Sequence, residues 1–237
     1  MKKNILAITL GDPAGVGPEI AAKVIAKSSK SQHGAIVFVG TEWSIQMGAL
    51  SCGLDLPPLK IIERFEQAGT GLNFLDVGLK KPSTFRYGEV QAECGRIAVE
   101  SVERAALACL EKEISGMVTC PLNKEAIHAA GFINDLGHQE ILARLAKSTW
   151  TATMLMTPGL KVAHLSTHKS LIEAAQYVTK ENISSKIELI HNTLNGWGMK
   201  NPKIAVAALN PHGGEGGLLG GEEIEEIGPA IIKSQGE

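Results

Sequence analysis

A series of short, continuous apolar runs punctuates this chain: Ile5–Leu10, Ala35–Val39, Ser115–Thr119, Thr151–Thr157, Lys161–Ser166 and Lys203–Leu209. Continuity rather than strict polar/apolar alternation marks strands covered on both faces, as in parallel sheets. Between the runs lie stretches with helical spacing. The clearest extends from about Gly88 to Leu110, where Cys94, Ala98, Val102, Ala105 and Cys109 recur three or four residues apart and form an apolar stripe. Arg96, Glu100 and Arg104 make an i, i+4 ladder on another face. The stripe makes Cys94 and Cys109 packing residues rather than reactive thiols. Further helices are predicted over Pro18–Lys27, Lys124–Ala130, His138–Lys147, Lys180–Leu194 and Gly221–Lys233, and Gly69–Ser83 reads as an irregular excursion. Strands alternating with helices predict a layered α/β architecture. A βαβ arrangement calls for one more strand after the Gly221–Lys233 helix, so the chain is expected to lack a C-terminal part.

Several function classes are excluded early. At 237 residues the chain can bury one large core or two lobes. A formal net charge of −2, without a basic run, argues against nucleic acid and against an anionic membrane surface. Cys52, Cys94, Cys109 and Cys120 show no C-x-x-C spacing and are too few for a disulfide scaffold, which points to a reducing cytoplasm. Met-Lys-Lys-Asn followed by Ile5–Leu10 faintly imitates a secretory leader, but the run is short and meets Gly11-Asp12-Pro13 with no small-residue cleavage site. No window resembles a membrane span. The expectation is a soluble, cytoplasmic protein.

Chemistry concentrates in three histidine segments. In Leu209-Asn-Pro-His-Gly-Gly-Glu-Gly-Gly217, His212 ends an apolar run and precedes a cluster of glycines that let a ligand or backbone come close. It reads either as a metal or substrate ligand or as a histidine in a glycine-rich turn. In Val162–Ser170, His164 and His168 are four apart, which on a strand separates them by roughly 13 Å. They cannot share one ion, so His164 is expected to pack within the strand and His168 to stand at its carboxyl end. His168 and His212 then occupy equivalent places past two strands, at the edge where α/β sheets bind ligands. Two imidazoles suit Zn²⁺ or Co²⁺, but a site normally takes three protein ligands. In Asp135-Leu-Gly-His-Gln-Glu140, His138 and Gln139 open a helix, a setting suited to a carboxylate or phosphate, or simply an exposed cap. Asn123 and Lys124 follow another strand toward the same edge, and Lys124 is a candidate base by position. His33, His128 and His191 stand in polar or helical contexts and carry no functional weight.

The turn Thr9–Glu19 leads a strand into glycines, with Pro18 at a helix start. It fails the G-x-G-x-x-G fingerprint, because the third position after Gly15 and Gly17 is Ile20, and no Gly-Lys-Ser/Thr loop is present. It reads as a tight turn on the rim of a cleft.

Taken together, TLGDPAGVGPEI (9–20), PLNKEAIHAAG (121–131), GHQE (137–140), STH (166–168) and LNPHGGEGGLLGGEE (209–223) resemble the 4-hydroxythreonine-4-phosphate dehydrogenase family of pyridoxal phosphate (pyridoxine) biosynthesis, PdxA, in the family's order across essentially the whole chain. The resemblance implies an isocitrate/isopropylmalate dehydrogenase-like layered α/β fold, with two lobes around a cleft. It describes residues 1–237 as a single PdxA-like chain, C-terminally truncated relative to the family. It further implies a homodimer with its active site at the subunit interface. The implied activity is oxidation of the C3 hydroxyl of 4-phosphooxy-L-threonine by NAD or NADP, with decarboxylation to 3-amino-2-oxopropyl phosphate. One divalent metal (Zn, Mg or Co) is implied, held by three histidines, one from the partner. His168 and His212 match two of those ligands, and His138 and Gln139 match the substrate-binding pair.

Three departures accompany the resemblance. The family's third metal histidine lies in a later segment that this chain does not contain. The groups that hold the substrate phosphate and much of the cofactor surface belong to that same segment. The family usually has threonine where Gln139 stands. D-threonate or D-erythronate 4-phosphate, used by catabolic relatives, is therefore the alternative substrate, and a non-catalytic remnant of the family is the alternative of a different class. A metallohydrolase is disfavoured, because no H-E-x-x-H or carboxylate-rich motif accompanies the histidines.

Overall fold

The computed structural model describes residues 4–28 and 34–235; Met1–Lys3, His33 and the last two residues lie outside the described residues. The chain divides into two compact units, one through Ser148 and one from Thr149.

The first unit alternates strand and helix: β1 (Ile5–Thr9), α1 (Gly17–Ser28), β2 (Ala35–Gly40), α2 (Glu42–Ser51), β3 (Lys60–Ile62), β4 (Gly71–Asp76), α3 (Ala92–Leu110), β5 (Gly116–Thr119), α4 (Lys124–Ala129) and α5 (His138–Ala146). Its sheet has the order β3-β4-β2-β1-β5, and every pairing is parallel. Strand alternation divides the sheet's side chains between two layers. Phe38, Phe74 and Leu10 pack with Ala21, Ala22 and Ile25 of α1 and Ile45 and Ala49 of α2. Val37, Val39, Ile5, Ala7 and Leu75 face the other way, onto Ala105 and Ala108 of α3. The remaining stripe of α3, Val99 and Val102, meets Ile127 of α4 and Ile141 of α5. Gly95 permits that contact, since a Cβ there would lie 2.1 Å from the Ala126 carbonyl oxygen. The predicted packing role of the two α3 cysteines holds: Cys94 is fully buried and Cys109 packs against the α3 side of the sheet. Burial pushes the Cys94 thiol up to about 12.

The second unit contains β6 (Met154–Thr157), β7 (Leu160–Ala163), α6 (Leu171–Gln176), α7 (Lys180–Gly196) and α8 (Gly228–Gln235), the last preceded by a π-helical turn at Glu223–Ile227. Its core joins Ile183 of α7, Ile227 and Ala230, with Leu165, Val178 and Val206 against them.

Four expectations change. Thr151–Thr157 and Lys161–Ser166 do not form covered parallel strands. They contribute the antiparallel hairpin β6–β7, with Leu155, Met156, Leu160 and Val162 exposed. Lys203–Leu209 belongs to no ladder among the described residues; its burial alternates, with Val206 turned to the core, but no strand lies beside it to pair. The Gly69–Ser83 stretch contains β4, whose central Asn73 is buried because its amide bonds the carbonyls of Ile36, Gly69 and Gly71. Finally, α2, β3 and the short α6 stand where no element was predicted. Among the described residues no helix is long and apolar enough to cross a membrane.

Candidate functional site

In the first unit the chain leaves β1 toward β2 on one side, while β5 pairs with β1 on the other. The loops after β1 and β5 therefore flank a switch point at the carboxyl edge, where open α/β sheets bind ligands. These loops touch through backbone. The Asp12 N–H donates to the Pro121 carbonyl at 3.0 Å. Gly11, at φ +71°, leaves no room for a side chain, as a Cβ would lie 2.1 Å from that same Pro121 oxygen. Asp12 is buried, with Oδ1 accepting the Ala14 N–H at 2.8 Å, and burial pushes its carboxyl above the usual range.

Asn123 caps α4, accepting the Ala126 N–H at 2.9 Å, which gives it a structural duty. Lys124 begins α4, and its Cε lies 4.0 Å from where a Cβ on Gly137 would be, so its stem runs beside the start of α5. His138 is the first residue of α5 and hydrogen-bonds the Cys120 carbonyl. Its Nε2 is buried without a partner, so Nδ1 is the donor to Cys120. Burial pushes the imidazole below its ordinary pKa against the opposing effect of that hydrogen bond, which keeps it neutral with an acceptor lone pair at Nε2. Gln139 follows, half-buried. Arg144 locks α5 in place: Nε and Nη2 donate to Asp135 at 3.3 and 2.7 Å, and Nη2 donates to Glu103 of α3 at 2.7 Å.

In the second unit His164 stands one residue beyond β7, half-buried, with its N–H on the Thr153 carbonyl at 3.0 Å. His168 is exposed in the loop between β7 and α6, in the left-handed region at φ +56°. Two residues on, Ser170 and Glu173 form a capping box that starts α6. His212 is also exposed. Its N–H donates to Asn210 Oδ1 at 2.9 Å, and its Nδ1 lies 3.1 Å from Glu215 Oε1. With Nδ1 turned to a carboxylate, Nε2 is left as the free nitrogen, the arrangement common to histidines that ligate metals. The donor type therefore fits a borderline divalent ion. Among the described residues no group of three or more His, Cys, Asp or Glu side chains is placed to hold a metal.

Sequence reasoning expected Lys124 and His138 at one edge, where the structure brings them together. It expected His168 and His212 each past a strand of that same sheet, which does not hold, because β7 belongs to a separate antiparallel hairpin and Lys203–Leu209 pairs with no strand among the described residues. It passed over Asp12, Glu215, Glu223 and the Arg144–Asp135 pair. Their signal was weak: acidic residues beside glycines read as ordinary turn polarity.

The family model described as "Pyridoxal phosphate biosynthetic protein PdxA" matches residues 32–237. The D-threonate 4-phosphate dehydrogenase of Pectobacterium atrosepticum is 37% identical over 238 residues, covering 98% of this chain and 72% of that protein. The D-threonate 4-phosphate dehydrogenase of Salmonella typhimurium is 35% identical, covering 99% and 72%. Among solved structures, a 4-hydroxythreonine-4-phosphate dehydrogenase from Klebsiella pneumoniae superposes with a TM-score of 0.88 at 37% identity, over 99% of this chain and 71% of that one.

Proposed function

Because the chain belongs to the PdxA family, whose members compared above are dehydrogenases, we propose that it oxidises the C3 hydroxyl of a four-carbon, 4-phosphorylated hydroxy acid with NAD or NADP. The observation that carries this reading is the family match together with the names of its relatives. They divide between D-threonate 4-phosphate and 4-hydroxythreonine 4-phosphate. D-threonate 4-phosphate is the first candidate here, since the curated relatives at 35–37% identity carry that name and Gln139 departs from the threonine usual in the biosynthetic family. 4-Phosphooxy-L-threonine, in pyridoxal phosphate biosynthesis, is the second.

In either substrate the C3–H leaves as hydride to the nicotinamide and the hydroxyl proton leaves to a base. The carbonyl formed stands β to the carboxylate, so the C1–C2 bond can break with loss of CO₂. Its electron pair passes to the C3 oxygen and a proton is taken up at C2. D-threonate 4-phosphate then gives a hydroxyketone phosphate, and the amino analogue gives 3-amino-2-oxopropyl phosphate.

His138, neutral and with Nε2 open, accepts a substrate hydroxyl proton in a hydrogen bond. Gln139 takes a second substrate polar group, and Lys124 beside the start of α5 supplies positive charge for an anionic end or serves as the base. His168 and His212 are proposed as ligands of one divalent ion (Zn, Mg or Co), with Glu215 turning the His212 ring. The ion, when bound, supplies Lewis acidity toward the C3 oxygen. We extend the reading to the isocitrate/isopropylmalate dehydrogenase-like two-lobe arrangement, to a cytoplasmic setting and to a homodimer. The exposed apolar face of the β6–β7 hairpin, carrying Leu155, Leu160 and Val162, supports the dimer, because an isolated hairpin is marginally stable in water.

The test supplies the purified protein with a divalent metal and NAD⁺ or NADP⁺, and offers D-threonate 4-phosphate, D-erythronate 4-phosphate and 4-phosphooxy-L-threonine in turn. NAD(P)H should form, fastest with D-threonate 4-phosphate. A folded protein that reduces neither cofactor with any of the three would overturn the reading in favour of a non-catalytic family member.

A further inference from the structure

The loop that carries His212 has almost no regular structure to hold it. Gly213, Gly214, Gly216 and Gly217 all have positive φ, conformations that glycine adopts freely and just as freely leaves, and Glu215 between them is held at φ +44°, which a side chain disfavours. A chain of this composition orders at a high entropic cost unless something outside it fixes its ends. The structure supplies that fixture from the π-helical turn 14 residues beyond Leu209, at Glu223.

We propose that Glu223 is the positioning residue that presents His212, acting through the loop backbone rather than on the imidazole or the substrate. Its Oε1 accepts the N–H groups of both Leu209 and Asn210, each at 3.0 Å, which pins the entry to the loop. Asn210 passes the constraint on. Its Oδ1 accepts the His212 N–H at 2.9 Å, its carbonyl accepts the Gly213 N–H at 2.8 Å, and its Nδ2 reaches the Leu219 carbonyl at 3.4 Å. The Leu219 N–H returns to the Gly214 carbonyl at 3.1 Å, closing the loop on itself. The second carboxylate oxygen, Oε2, is buried with no partner and lies 2.7 Å from where a Cβ on Gly214 would stand. Gly214 thus leaves the space that Glu223 fills, and its φ of +71° independently favours glycine.

A carboxylate receiving two backbone N–H groups makes stronger bonds than a neutral acceptor would. Consistent with this, the hydrogen bond from Asn210 holds the Glu223 carboxyl below the usual carboxylate range. Among the described residues, Glu223 is the one whose side chain accepts from both Leu209 and Asn210.

The inference rests on His212 being a metal ligand, and two measurements separate its failure from the failure of that reading. Co²⁺ affinity is measured by calorimetry, with the ligand-field absorption of the bound ion as a second readout, for the parent protein and for Glu223→Ala, Glu223→Gln and His212→Ala. Glu223→Ala is expected to weaken Co²⁺ binding roughly 10- to 100-fold, as loss of an outer-shell support does. Glu223→Gln keeps an oxygen acceptor and should recover most of the affinity. Amide hydrogen exchange across residues 209–220 should quicken in Glu223→Ala and stay near parental in Glu223→Gln. If His212→Ala leaves Co²⁺ binding untouched, the metal reading fails while the exchange data still decide the clamp. Parental exchange and parental Co²⁺ affinity in Glu223→Ala would overturn the proposal.

Discussion

His138 sits where burial and hydrogen bonding pull its titration in opposite directions, and burial prevails. The folded protein therefore binds fewer protons at this position than the unfolded chain does. Stability rises with pH wherever the unfolded state holds more protons, so His138 removes stability as pH falls through the ordinary histidine value and on down to its lowered folded one. Urea midpoints taken at about pH 7.5 and about pH 5.5, on either side of the unperturbed histidine value, should fall on acidification more for the parent than for His138→Gln. Equal slopes would mean that the buried Nε2 is not the cause. At this scale the sequence announced residue types better than duties. His138 and His212 stood out beside glycine, whereas Glu215 and Glu223 became legible only once folding brought their carboxylates onto His212 and onto the Leu209 and Asn210 amides. Asn123, singled out by position, caps α4.

Helix α5 is the element that carries His138 and Gln139, and one arginine fixes its place. Asp135 has only 4% of its side chain exposed and is paired with Arg144, which also reaches Glu103 on α3. Removing the guanidinium leaves a buried carboxylate without its partner, and that penalty dominates the loss. Because Arg144 itself is 44% exposed, solvent screening reduces the effect. Arg144→Ala should lower unfolding free energy by about 2 kcal/mol in urea denaturation, nearer the cost of an unmet buried polar group than that of a fully buried ion pair. A change under about 0.5 kcal/mol, the scale of an ordinary surface substitution, would contradict this account of α5. The elements that sequence periodicity found are those with strong one-face patterns, such as α3 and α7. Those it missed hide their pattern. β4 places Asn73 at its centre and satisfies it with three backbone carbonyls, while β6 and β7 look like covered strands but, among the described residues, pair with no strand beyond each other. Lys203–Leu209 has the residues of a strand without a neighbour to pair with, and pairing is what periodicity cannot supply.

For the whole molecule, the α/β class was legible because the β1, β2 and β5 runs are continuous and helices separate them, and the parallel sheet with helices on both faces follows from that. The order of the strands was not legible, yet it sets the switch point between β1 and β5 that gathers Asp12, Lys124 and His138 at one edge. Family membership came from motifs spaced across the chain, and on it rests the proposal that His168 and His212 have a metal-holding duty, which neither loop's fold declares by itself. The account stands on that duty. Its most direct test is NAD(P)H formation from D-threonate 4-phosphate by protein stripped with a chelator and then resupplied with Zn²⁺ or Co²⁺, compared with the His212→Ala variant. The stripped protein should be inactive and regain turnover with the ion, and His212→Ala should stay on the order of a hundredfold or more below the parent under the same conditions, since the ion contributes several kcal/mol to such a step. Full turnover in chelator, or parental turnover by His212→Ala, would contradict it.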